Sequence, residues 1–328
     1  MKKTLLFLCL SLFVSISHSQ DIMLQNAEQE LSSLMNVMFF SRDDNERFNA
    51  NEKFINILDN VLEYQNSFDY PFKSLDKISI LTSSDKRFKI FTWAIFSNEG
   101  NYDNFGMIQA RNENTEEYEI YRLYDRSEDV FSPEEAKLSD TSWFGAVYFD
   151  LITTKNENIT YYTLLGWDGK DIYSKRKIIE PITFKRNSGR PSFGASIFHK
   201  EKQLKRMIFE YAPTASFNLK WDNQYHTEGG VKKAKQKGLK KNKPFETEEQ
   251  KVEKTQMILY DELEPMHDGL GMVKNLSVPS GKVVGLKFER GKWRKVENLI
   301  PRNSKKKNEI DVNNYNFNKE KRLYCKCL

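Results

Sequence analysis

The densest run of groups able to move protons is Asp261-Glu262-Leu263-Glu264-Pro265-Met266-His267-Asp268-Gly269. An imidazole titrates near neutrality and serves as acid or base beside a carboxylate. Two carboxylates held a few ångströms apart suit glycoside cleavage. Asp261, Glu264, His267 and Asp268 are therefore candidate ligand-binding residues, although neighbours in sequence usually point apart and the run also reads as a solvated acidic turn. Trp167-Asp168-Gly169 offers an aromatic platform beside a carboxylate, a pairing suited to sugars or peptides. Its plainer reading is a strand end with an Asp-Gly turn. A third group, Lys232, Lys233, Lys235, Lys237, Lys240, Lys241 and Lys243, crowds into twelve positions almost without apolar residues. Such a loop binds polyanions by counterion release. It lacks the interleaved aromatics that stack on bases, so specific nucleic-acid recognition is not expected, and a solvated insertion is its simplest role.

Other chemistries leave no signature. There is no Gly-x-Ser-x-Gly elbow, His-Glu-x-x-His helix, phosphate-binding glycine loop or calcium loop. His199, His226 and His267 stand in unrelated contexts. Cys325 and Cys327, one residue apart at the chain end, close only a small strained ring and supply two of the four ligands zinc usually takes. Neither a metal nor a cofactor is expected.

Side chains at these positions need a frame. Of 328 residues, 39% are hydrophobic and 30% charged, which fits a globular chain and excludes collagen-like, disulfide-scaffold and multi-span membrane classes. Lys2 and Lys3, the apolar stretch from Leu5 to Ile16, and Ser17-His18-Ser19 read as a secretory signal over residues 1–19. That apolar core is too short to span a bilayer, and no later segment is long enough, so no transmembrane span is expected after cleavage. Residues 20–150 hold 12 basic and 25 acidic side chains, whereas residues 151–328 hold 37 and 21. The acidic front and basic back attract one another or turn the basic part toward an anionic partner.

Leu24, Ala27, Leu31, Leu34, Met35 and Met38 repeat at helical spacing, and Phe54, Ile55, Leu58, Val61 and Leu62 repeat it after Ser41-Arg42-Asp43-Asp44. A helical hairpin over 20–66, packed on something larger, is expected. From Lys77 the pattern changes to β-branched and aromatic runs separated by turn residues. In Phe88 to Phe96 both alternating faces are apolar, so that strand needs cover on each side. Ser132-Pro133-Glu134-Glu135 has the form of a capping box and predicts one short helix. Phe288 and Trp293 should pair across a hairpin turning at Arg290-Gly291. The expected class is mainly β: a large antiparallel meander over 77–300, propeller-like or sandwich-like, with a basic disordered loop at 226–254 and a basic tail over 301–328.

Tyr161 to Gly169, Phe193-Gly194-Ala195 with Ile197-Phe198, Lys205 to Tyr211, Met257 to Pro265 and Lys287-Phe288 to Trp293 together resemble, in the same order, the uncharacterised secreted proteins of Bacteroidota. The similarity covers roughly Lys86 to Leu299, and the lysine-rich loop departs from it. The group has no established activity, so the resemblance implies a bacterial envelope setting and no catalytic residue. The leading expectation is a non-enzymatic exported protein, a scaffold or binding module contacting an envelope protein or an anionic envelope polymer. The periplasm is the expected compartment, with the cell surface as the alternative. The competing expectations are a secreted hydrolase of glycans or peptides, with carboxylates around Asp168 and Asp261 to Asp268 about 5 to 9 Å apart across a pocket, and a polyanion binder acting through the lysine loop. Oligomeric state is not legible.

Overall fold

The computed structural model describes residues 22–228, 251–269, 273–296 and 298–300. The expected signal, the seven lysines and the basic tail with its two cysteines lie outside the described residues. The chain is mainly β, with two N-terminal helices ahead of antiparallel sheets that include a curled half-barrel.

Helix α1 covers 22–40 and buries Leu24, Leu31, Met35 and Met38, the face its spacing predicts. Helix α2 (Asp44–Leu62) is capped by Asp43, whose side chain accepts from the Asn45 and Glu46 N–H groups. It buries Phe54, Ile55, Leu58, Val61 and Leu62. Neither stripe can close a core alone, and both lie against the first sheet.

That sheet is a four-stranded meander, β1 (Ser79–Thr82), β2 (Phe88–Phe96), β3 (Tyr102–Arg111) and β4 (Tyr118–Tyr124), paired in chain order. The second sheet has the order β5-β9-β8-β7-β6, with β10 also on β8. Its strands are β5 (Leu138–Ser139), β6 (Val147–Asn156), β7 (Ile159–Asp168), β8 (Lys175–Phe184), β9 (Pro191–Phe193) and β10 (Met207–Tyr211). The third sheet joins β11 (Leu219–Glu228), β12 (Lys251–Pro265), β13 (Ser277–Glu289), β14 (Lys292–Val296) and β15 (Leu299–Ile300) in the order β14-β13-β12-β11-β15.

Three cores follow from the period-two alternation of these strands. Phe91, Trp93 and Ile95 meet the helices. Phe88 and Ile90, on the other face of β2, meet Leu164, Ile178 and Phe193 of the second sheet. Leu165 and Ile179 turn instead toward Ile258, Leu286 and Trp293 of the third. Strand β2 is thus covered on both faces, as its composition requires. Phe288 pairs with Trp293, their rings 5.1 Å apart at 67°.

Three local expectations fail. Ser132-Pro133-Glu134-Glu135 forms a single turn rather than a helix, with Ser132 at φ 49°. The carbonyls that would extend the helix serve others: Pro133 and Ala136 accept from the buried Arg206 guanidinium, and Glu134 accepts from Lys205 N at 2.7 Å. The basic loop is narrower than 226–254, because Tyr225 to Glu228 pair with Lys251 to Lys254 as strand. His226 accordingly does not open a loop: it is buried, with Nε2 3.0 Å from Thr255 Oγ1. The run Phe193 to Phe198, which by its aromatic and β-branched residues reads as a strand ending at His199, holds strand only to Phe193, and His199 Nε2 lies 3.0 Å from Arg294.

Candidate functional site

Asp168 ends β7 and is only 2% exposed. Its Oδ1 accepts from Asn104 Nδ2 of β3 at 3.1 Å and from the Lys170 N–H at 2.9 Å, and its Oδ2 accepts from Arg176 Nη1 of β8 at 3.3 Å. Burial pushes its carboxyl above the usual range, against the pull of those three donors, and the charge of Asp125 adds to the rise. Arg176 also reaches Glu210 of β10, Nε to Oε2 3.3 Å, and its guanidinium lies over the Phe144 ring. Glu210 takes further bonds from Lys170 Nζ at 2.7 Å and Ser174 Oγ at 2.8 Å. Burial raises its carboxyl, and these donors with the charges of Arg176 and Lys170 outweigh that and bring it below the ordinary value. Asp125 completes the cluster, accepting from Asn104 at 3.2 Å and from the Gly145 N–H at 3.1 Å. Gly145 has to be glycine for this approach, since a Cβ there would lie 1.9 Å from Asp125 Oδ2.

The network ties the first sheet to the second and leaves both Asp168 oxygens occupied. Next to it the surface opens into a cavity of about 280 Å³. Phe39 of α1, Phe96 of β2, Tyr102 of β3 and Trp167 of β7 supply aromatic walls, and Trp93 is part of the same lining. The rings interlock, Phe96 with Tyr102 at 4.7 Å and Tyr102 with Trp167 at 5.3 Å and 78°. The Trp93 indole donates to Asn51 Oδ1 at 2.7 Å.

Two cations join this wall, Arg47 and Lys77. Arg47 is 9% exposed and donates to the Phe96 carbonyl, to Asp44 and to Asn98 Oδ1. Its Nε–H is buried without a partner among the described residues. Aromatic faces with a few fixed donors are the usual composition of a small-ligand pocket.

The other expected residues lie elsewhere. Asp261 is buried in β12 beside a bulge and accepts from Asn218 N at 2.8 Å and Asn218 Nδ2 at 2.9 Å. Glu264, His267 and Asp268 are exposed. Among the described residues no polar partner is common to Asp168 and Asp261; the carboxylates tied to Asp168 through shared partners are Glu210, by way of Arg176, and Asp125, by way of Asn104. The Trp167-Asp168 pair is legible in sequence through its aromatic–acid adjacency. Arg47, Asn104 and Tyr102 are not, because α2 and β3 bring them from 60 residues and more away.

Among the described residues no group of three His, Cys, Asp or Glu is arranged to hold a metal ion, and no helix is long and apolar enough to cross a membrane. No family model, curated protein or solved structure matches the chain.

Proposed function

We propose that the chain is a non-enzymatic exported binding module of the bacterial envelope, with the aromatic cavity between the helical hairpin and the first two sheets as its ligand seat. The observation that carries this reading is the pairing of a closed carboxylate cluster with an open aromatic wall. A carboxylate that attacks, or moves a proton for a substrate, needs an oxygen facing the reacting atoms. Both Asp168 oxygens face protein donors instead, and the cluster anchors the strand end that carries Trp167. The envelope setting rests on the N-terminal sequence and on the resemblance. A hydrolase is the second reading, favoured by the raised Asp168 carboxyl; it requires Arg176 to release Oδ2, or Asn104 and the Lys170 N–H together to release Oδ1.

One experiment separates the two. The mature chain and its Trp167→Ala variant are incubated with panels of envelope glycans and peptides, and both bound material and released products are measured. Retention by the parent with a loss of about tenfold or more in the variant is expected, since a buried aromatic anchor contributes at least ~1.4 kcal/mol. Steady product release by the parent, abolished in Asp168→Asn, would transfer the assignment to the hydrolase.

A further inference from the structure

A second cavity, about 530 Å³, lies where β5, β9 and the end of β8 run side by side. Its composition follows from strand register. Leu138 pairs with Phe193, and Phe193 with Ile182, and all three enter the core against the first sheet. The next rung therefore points the other way, and it consists of Ser139, Ser192 and Thr183. Ser142, bridged to Ser139, adds a fourth hydroxyl residue. Two positions from three members of this row, on the same face, stand Lys137, Lys185 and Arg190, and all of these residues line the cavity.

We propose that this row and its cations form a binding site for a phosphate group. The chemistry is one-sided. Arg190 is held by Asp140 through Nε at 2.7 Å and Nη2 at 3.1 Å, so the charge of the nearby carboxylate is met by the guanidinium. Lys137 and Lys185 are exposed and form no ion pair among the described residues, leaving the lining two positive charges in excess. Each hydroxyl supplies a rotatable donor. Those of Thr183 and Ser192 rest on backbone carbonyls at 3.3 Å, long for O–H···O bonds and easily exchanged for an anion. Hydroxyls about 4.8 Å apart on neighbouring strands can grip two oxygens of one tetrahedral anion from below while the ammonium groups meet the others. A planar carboxylate uses fewer of these donors. The site shares no lining residue with the aromatic cavity, and stands whether or not the preceding reading does.

The test is titration of the full chain with inorganic phosphate, inorganic sulfate, a glycerol-phosphate polymer, and vesicles of phosphatidylglycerol or phosphatidylcholine. Lys137→Gln with Lys185→Gln is expected to weaken phosphate binding about tenfold and to lower the slope of log affinity against log salt for the polymer by about 2. Thr183→Val with Ser192→Ala should weaken binding and keep the slope. Lys53→Gln, an exposed change on α2 outside both cavity linings, should leave inorganic phosphate binding unchanged. Unaltered melting temperatures show that the exposed substitutions leave the fold intact. Preference for the polymer, for phosphatidylglycerol vesicles or for free phosphate identifies the source of the phosphate. Equal phosphate affinity in the parent and the Lys137/Lys185 variant, or no phosphate binding by the parent, would overturn the proposal.

Discussion

Lys89 occupies a position where the alternation of β2 calls for an apolar side chain, on the face that carries Phe91 and Trp93 to the helices. Its ammonium donates to the Tyr70 carbonyl at 2.9 Å and the Ser67 carbonyl at 3.3 Å, and lies 5.4 and 5.5 Å from the Phe68 and Phe72 rings. These partners do not replace water: burial brings its pKa down from 10.5 to about 8. A lysine held below its unfolded value binds its proton less tightly in the folded state, so its charge opposes folding fully below pH 8, and this penalty fades as pH rises toward 10.5. The expected result is that Lys89→Met loses ground to the parent by about 2.5 kcal/mol between pH 7 and pH 10, the part of the 2.5-unit difference that this window spans. Denaturant titrations of both proteins at each pH measure it, and a constant difference would mean that the ammonium is solvated.

Tight packing between elements decides whether Trp167 can act as a platform. Gly169 follows the β7 terminus, and a Cβ there would stand 2.4 Å from the Tyr102 ring of β3. Gly169→Ala must therefore push Tyr102 away from Trp167. A loss of about 1–3 kcal/mol is expected from overpacking, with a changed near-ultraviolet dichroism of the aromatic pair and weaker ligand retention. Gly281→Ala is the contrast, since nothing lies within 4 Å of its Cβ and only its φ of 81° is strained. Retention that survives Gly169→Ala would count against the aromatic cavity as the seat. Elements of this kind divide into those a sequence announces and those it hides. The helix faces, the two-sided β2 and the Phe288–Trp293 pair are announced, because the packing that makes them is local and periodic. The length of the β11–β12 hairpin is hidden: Asn223 to Glu228 pairs with Lys251 to Gln256, where only Tyr225 and Val252 interrupt the polar residues, and apolar periodicity carries little trace of such pairing. The turn at Ser132 to Ala136 is hidden for another reason, since Arg206, about seventy residues away, decides it. The same distance effect left Arg47 of the aromatic cavity and Asn104 of the adjoining carboxylate network out of sight.

At the scale of the molecule the three cores are joined in series by strands that serve two of them at once. Strand β2 gives Phe91 to the helices and Ile90 to the second sheet; β7 gives Leu164 to one core and Leu165 to the next; β8 does the same with Ile178 and Ile179. No core can be lost without stripping a face from a strand that another core needs. Polar ties reinforce the joints: Thr92 Oγ1 of β2 accepts from Tyr148 N of β6 at 3.0 Å, and the Trp293 indole of β14 donates to Thr163 of β7 at 3.1 Å. The buried Arg206–Glu180 pair, with Tyr148 also donating to Glu180, stiffens the middle layer from within. A defect placed in the first core should therefore be felt in the third. Phe91→Ala removes a fully buried ring next to Phe72 and is expected to cost about 3–5 kcal/mol. Thermal unfolding followed separately through Trp93 and Trp293, each isolated by replacing the other tryptophans with phenylalanine, should then show one common midpoint, lowered by the same amount at both probes. A Trp293 transition that stays at the parent temperature while the Trp93 transition falls would show that the layers melt independently, and that shared strands alone do not couple them.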